Sequence, residues 1–241
     1  MTRSVKWIAA VAGVSLFAAC GGGTSADKAQ STARVPVTEP SGTTIVRDDF
    51  SNSRSGWDVT NTNLFSSMYS GGRFRVEAKV KNLLGISSTL YEGPPGRPEL
   101  KQLGEVDVAV AAVGQPASGG AVGLVCRTRG DPAELDYYGA TLSASGRWSI
   151  LRQQGKRRSQ MSSGAAAGGL KFGTTPVALR LECRGNEADP LRLRLYANGK
   201  FLGEGVDPSP WASGGAGFIV ASLSRGGVVA FLDDFTLATP T

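Results

Sequence analysis

The chain has 241 residues, with 26 lysines and arginines against 20 aspartates and glutamates, a formal charge of +6, and no histidine. The missing imidazole excludes Ser-His-Asp and Cys-His nucleophilic sites and removes the commonest ligand of catalytic zinc. The basic surplus is mild: it gives little reason to invoke nucleic acid, and it suits either a weak attraction to anionic cell-wall polymer or headgroups or an ordinary solvated surface.

Residues 1–19 read as an export signal. Arg3 and Lys6 precede an apolar or small run from Trp7 to Ala19, a positive n-region followed by an h-region. A membrane span needs roughly 20 apolar residues, so this run is short for one. It ends Leu16-Phe17-Ala18-Ala19-Cys20 before three glycines, which resembles the bacterial lipobox. That resemblance implies a diacylglyceryl thioether on Cys20, palmitate-type acylation, and anchoring to the outer face of the cytoplasmic membrane or to another envelope membrane. Each buried methylene adds about 0.8 kcal/mol, so two or three chains hold stably. The alternative is an ordinary signal peptide cut after Ala19. Taking Arg3 and Lys6 from the 26 basic residues leaves 24 against 20 acidic ones, a formal +4. Residues 20–43 follow as the lipidated cysteine and a tether rich in Gly, Ser, Thr, Ala and Pro, with an end-to-end distance on the order of 25–30 Å.

Residues 44–241 form one domain in which strand follows strand. Val106, Val108 and Val110 alternate with polar or small neighbours. So do Val122, Leu124 and Cys126; Val177, Leu179, Leu181 and Cys183; and Leu191, Leu193 and Leu195. A period of two with one polar face marks half-buried antiparallel sheet. Asn198-Gly199, Ser145-Gly146 and Gly71-Gly72 supply hairpin turns. About ten to twelve strands are expected, arranged as an all-β, two-sheet antiparallel sandwich. Asn82–Gly104 and Lys156–Gly169 read as long loops.

With Cys20 assigned to lipid, Cys126 and Cys183 are an even pair, and both lie on core-facing positions. Export favours a disulfide between them, closing a loop of 57 residues (183 − 126). The chain-entropy estimate for such a loop is about 4 kcal/mol. Two buried free thiols are the other reading.

The domain opens Arg47-Asp-Asp-Phe50 and Ser55-Gly-Trp57, and contains Gly123-Leu-Val-Cys-Arg127, Tyr137-Tyr138, Ser145-Gly-Arg-Trp-Ser-Ile150 and Leu181-Glu-Cys-Arg-Gly185. It continues Leu195-Tyr-Ala-Asn-Gly199 and Gly214-Gly-Ala-Gly-Phe218 and closes Phe231-Leu-Asp-Asp-Phe235. This resembles the concanavalin A-like (laminin G-like) jelly-roll domains of bacterial surface proteins over Thr44–Leu237. The resemblance implies a jelly-roll β-sandwich in a family of lectins, glycan-binding modules and glycoside hydrolases. It also implies paired terminal strands, with Phe50 and Phe235 capping the core and the acidic pairs at strand margins.

Candidate chemistry follows. Glu105-Val-Asp107 and Glu134-Leu-Asp136 come nearest the acidic strand motif of glycan hydrolases. Neither completes the carboxylate pair that hydrolysis needs, and solvated edges explain both. A structural calcium is the one cofactor implied, through Asp48, Asp49, Asp233 and Asp234, whose hard oxygens suit the ion; solvated strand ends explain them equally. Tyr137, Tyr138, Arg192, Arg194 and Tyr196, with Trp148, are the expected ligand face for sugar, or else a solvated sheet and core. Arg152 and Lys156-Arg157-Arg158 form a basic cluster. The expectation is an exported, lipid-anchored, non-catalytic module binding a glycan or cell-wall polymer. A structural or protein-interaction module of the envelope is the first alternative, and a glycan hydrolase the second.

Overall fold

A computed structural model describes residues 42–88, 102–113, 120–130, 134–166, 176–186, 188–224 and 226–240. The signal segment, Cys20 and the tether lie outside these residues.

The strands in chain order are β1 (Gly42–Asp48), β2 (Thr60–Asn61), β3 (Phe65–Tyr69), β4 (Phe74–Ala78), β5 (Leu83–Ser88), β6 (Val106–Val113), β7 (Gly120–Arg129) and β8 (Asp136–Ser143). They continue as β9 (Arg147–Gln154), β10 (Arg157–Ala165), β11 (Val177–Arg184), β12 (Leu191–Ala197), β13 (Lys200–Asp207), β14 (Gly215–Ser222) and β15 (Val228–Pro240). One sheet has nine strands in the order β13-β12-β11-β6-β15-β4-β3-β2, with β1 also on β15. The other has six, in the order β10-β9-β8-β7-β14-β5. The pairings are antiparallel.

The alternation in the sequence sets which residues enter the space between the sheets. Val106, Val108 and Val110 stand opposite Cys183, Leu181 and Leu179, and all six are buried. Val122, Leu124 and Cys126 face them from β7. Cys126 and Cys183 form a disulfide, which ties the six-stranded sheet to the nine-stranded one through the core. An aromatic group fills one end: Trp57 stacks on Phe218 at 4.8 Å and meets Phe235 edge-on at 4.8 Å, while Phe50 packs on Phe74 at 5.5 Å. Asn198-Gly199 turns with φ of 49° and 74°, the left-handed pair a two-residue hairpin requires.

Three expectations need correction. Leu83–Ser88 is not loop but β5, paired with β14. Arg157–Ala165 is likewise a strand, hairpinned to β9 through Gly155. It is an edge strand with mostly exposed positions, so its sequence lacks the two-residue alternation that marks a half-buried strand. The terminal strands do pair, with Asp48 opposite Phe235, and Phe50 and Phe235 are buried. The second acidic pair, however, is not at a margin. Asp233 and Asp234 sit inside β15 at a bulge where Asp234 takes φ of 49°. There the flank opposite β6 passes from β4 to β1.

Candidate functional site

The outer face of the six-stranded sheet is built from the residues that alternate with the core positions. β7 contributes Ala121 and Gly123, and β8 contributes Gly139, Thr141 and Ser143. β9 contributes Arg147, Ser149 and Leu151, and β14 adds Ala221. In register, Ala221, Ala121 and Ser143 lie side by side, as do Gly123, Thr141, Ser149 and Ser163. These side chains are mostly small, so the middle of the face is depressed. The result is an open groove of about 690 Å3. Ala121, Leu151 and Ala221 give it apolar floor; Thr141, Ser143, Ser149, Gln160 and Ser163 line it with hydroxyls and an amide; Arg147 and Arg158 are its charged members. Hydroxyls and amides both donate and accept, which is the complement of a polyhydroxylated ligand. No carboxylate is among the described lining residues.

At one end of this face Val125, Tyr137, Leu151 and Ile219 form a small buried cluster, with Leu135 packed on it. Tyr137 is 2% exposed and its hydroxyl makes no well-formed hydrogen bond. Burial raises its pKa, and the charge of Arg158 offsets part of that rise.

A smaller cleft of about 320 Å3 opens between the edge strands β10 and β13, lined by Arg152, Gln154, Arg157, Ser159, Met161, Val206 and Asp207. Asp207 accepts hydrogen bonds from the Tyr138 hydroxyl at 2.6 Å and the Ser209 N–H at 3.0 Å, and pairs with Arg152 at 2.9 Å. Burial first, then the hydrogen bond to Asp207, pushes the Tyr138 pKa well above the usual phenol range. Tyr138 also stacks on Trp211 at 4.1 Å, with Arg129 over the same indole at 4.6 Å. Asp207 and Trp211 are the residues that the sequence did not single out. Each belongs to a short strand end or an irregular segment, where no periodicity points to them.

The expected ligand face is divided between the two sheets. Tyr137 and Tyr138 are both buried, on opposite faces of β8, so neither is an exposed platform. Trp148 packs in the core and also borders the groove. Its ring passes so close to Gly203 that an added Cβ there would meet the indole at 2.1 Å. Arg192, Arg194 and Tyr196 lie together on the outer face of the nine-stranded sheet, already engaged. Glu204 holds Arg192 at 3.0 Å and Arg194 at 2.6 Å, and Tyr196 donates to Glu182 at 3.3 Å. Hydrogen bonding to Arg194 lowers the pKa of Glu204.

The hydrolase-like carboxylates hold the fold together and do not line the groove. Glu105 accepts the Gly185 N–H at 2.6 Å, and Asp107, fully buried, pairs with Arg184 at 3.1 Å. Glu134 pairs with Lys156 at 3.6 Å, while Asp136 takes Arg129 at 3.2 Å and the Gly155 N–H at 2.6 Å. Of the four carboxylates expected for calcium, Asp48, Asp49 and Asp233 are engaged by protein groups. Asp48 accepts the Phe50 N–H on one oxygen and the Trp57 indole N–H on the other. Asp49 accepts Ser51, and Asp233 faces Arg73 and the Asp234 N–H. Among the described residues no group of three or more His, Cys, Asp or Glu is placed to hold a metal. No helix among them is long and apolar enough to cross a membrane.

No protein-family model matches the sequence, and no curated protein matches it. Solved structures do resemble the fold. The carbohydrate-binding module CBM66 from Bacillus subtilis superposes with a TM-score of 0.55 at 13% identity, over 77% of this chain and 96% of that one. A protein of unknown function with a galectin-like fold, also from Bacillus subtilis, gives 0.59 at 12% identity over 83% and 97%. A Bacillus licheniformis β-glucanase gives 0.54 at 10% identity over 83% and 99%. Likeness at such identity establishes fold and no more: the chain is an all-β, two-sheet antiparallel jelly-roll sandwich of the concanavalin A-like and galectin-like kind.

Proposed function

We propose that the protein is an exported, lipid-anchored, non-catalytic module that binds a glycan or cell-wall polymer in the groove on the outer face of its six-stranded sheet. The observation that carries this reading is the chemistry of that groove. It has an apolar floor, hydroxyl and amide walls, and no carboxylate among its described lining residues. Sugar rings present apolar faces and a rim of hydroxyls, so floor and walls match both. Glycoside cleavage needs two carboxyl groups flanking one bond, about 5–5.5 Å apart for retention and wider for inversion. The acidic groups that the sequence offered for that work are spent on arginines, a lysine and backbone N–H groups elsewhere. The solved structures of similar fold include a carbohydrate-binding module as well as glucanases, so the fold is compatible with binding and cleavage alike, and the groove lining favours binding. The anchor would be Cys20, with the intervening residues as tether, on the outer face of the cytoplasmic membrane or on another envelope membrane.

The test has two arms. The full chain, screened on an array of glycans and wall polymers, is expected to bind a defined subset without releasing reducing ends. Replacing Ser149 by Trp, which fills the middle of the groove, is expected to abolish that binding. Reducing ends released from a bound polymer would overturn the non-catalytic reading. For the anchor, Cys20→Ala is expected to end palmitate incorporation and to move the protein out of the membrane fraction.

A further inference from the structure

We propose that the groove selects a linear polyanion, a polyhydroxylated chain bearing repeated carboxylate or phosphate groups; this rests on the groove being the ligand site. The observation is an asymmetry in how arginines are compensated. On the outer face of the nine-stranded sheet, Arg180, Arg184, Arg192 and Arg194 each meet a carboxylate, at 2.9, 3.1, 3.0 and 2.6 Å. Near the β9–β10 hairpin, Arg129, Arg152 and Lys156 meet Asp136, Asp207 and Glu134, and outside the groove only the exposed Arg157 beside the smaller cleft meets no acid among the described residues. The two arginines that line the groove differ. Arg158 donates from Nε to the neutral Gln153 side chain at 3.0 Å, and neither Arg147 nor Arg158 makes an ion pair with a described residue. With no acid among the described lining residues, both charges face the groove uncompensated.

Their spacing adds a length requirement. Arg158 stands opposite Gln153, six residues along β9 from Arg147, which is about 20 Å at strand rise. The cations thus stand at opposite ends of the groove, with Ser149, Gln160 and Ser163 between them. A monosaccharide reaches one end only. A chain with charges repeated along it reaches both while its hydroxyls meet the walls. Guanidinium groups bind carboxylate and phosphate oxygens through charge-assisted hydrogen bonds, so the shared chemistry is an oxyanion on a polyol chain, and the two sources separate only by experiment.

The test uses the full chain in neutral detergent with three probes: oligogalacturonates of graded length, their methyl esters, and poly(glycerol phosphate). At least one acidic probe is expected to bind about tenfold or more tighter than the methyl ester, to tighten with length until it spans the groove, and to weaken as salt screens it. Arg147→Gln and Arg158→Gln should each weaken it by about tenfold, whereas Arg192→Gln on the other sheet should leave it unchanged. Preference for the galacturonate or for the phosphate polymer identifies the source. Equal binding of the methyl ester, indifference to both groove arginines, or failure of both acidic probes to bind overturns the inference. Ser149→Trp separates the two failures. If it abolishes binding of any glycan while the arginine variants do not, the groove is the site and only the charge selection falls. If it too leaves binding intact in a folded protein, the groove itself is not the site.

Discussion

Arg127 follows Cys126 in β7, and a simple period of two would aim it outward with Val125. A bulge between Cys126 and Arg129 interrupts the register with β8, and Arg127 takes φ of 50°. Its side chain is fully buried. The guanidinium donates to the carbonyls of Gly104 at 3.1 Å, Trp211 at 2.7 Å and Gly185, and its own carbonyl accepts the Trp211 indole N–H at 2.8 Å. Burial lowers its pKa, opposed by the negative groups Glu105 and Asp207 and by Tyr138. One side chain therefore fastens three separate segments at the end of the sandwich. Arg127→Met removes all three donors and leaves buried carbonyls without partners. Its expected cost is about 3 kcal/mol, read as a lower urea midpoint, with a changed Trp211 fluorescence environment. A loss under about 1 kcal/mol would mean that relief of the buried charge offsets the lost hydrogen bonds.

At the scale of strands, the outer face of β6, β11, β12 and β13 is a charge ladder. Asp107 pairs with Arg184, Arg180 with Glu182 and sits over Tyr196, and Glu204 bridges Arg192 and Arg194. Exposed pairs of this kind contribute little each, but Asp107 is buried, and one of its carboxylate oxygens has no partner. Desolvation raises its pKa despite the hydrogen bond and charge of Arg184. The folded state then holds its proton to higher pH than the unfolded state does. Stability falls as pH rises from the ordinary aspartate value through the raised one, opposite to the usual carboxylate. Wild type is therefore expected to lose stability relative to Asp107→Asn across that window as pH rises, seen in paired urea titrations. A constant difference between the two proteins would show that Asp107 has no raised pKa. The same ladder shows that Arg192, Arg194 and Tyr196, legible as an outward polar face, are already engaged: the two arginines share Glu204, and Tyr196 donates to Glu182.

Over the whole molecule, the one covalent link between the sheets is Cys126–Cys183 among the described residues. Both cysteines are fully buried, and the link spans 57 residues of chain. Replacing both by serine is expected to cost up to about 4 kcal/mol on the chain-entropy estimate, measured by urea denaturation with the fold checked by near-ultraviolet dichroism. The loss should match that of reduced wild type. A loss much larger in the serine pair would point instead to the polar hydroxyls placed in the core.

The sequence by itself determined the class of fold and most of its core. Alternation at Val106–Val110, Val122–Cys126, Val177–Cys183 and Leu191–Leu195 fixes which side chains are buried, because successive residues of a strand point to opposite faces. The hairpin at Asn198-Gly199 follows from the backbone angles it needs, and the shared inward phase of Cys126 and Cys183 permits a disulfide, which two buried thiols would have satisfied as well. Tertiary structure decided the rest. Edge strand β10 is exposed at most of its positions and carries no clear period to read. Arg127 is buried only because a bulge shifts its phase. The groove is formed by Thr141, Ser149, Ser163 and Ala221, which come from four strands and adjoin only through cross-strand register; small side chains far apart in sequence carry no local signal. Whether an arginine is compensated is likewise a matter of its neighbours across the sheet, which is why Arg192 and Arg147 look alike in the sequence and differ in the fold.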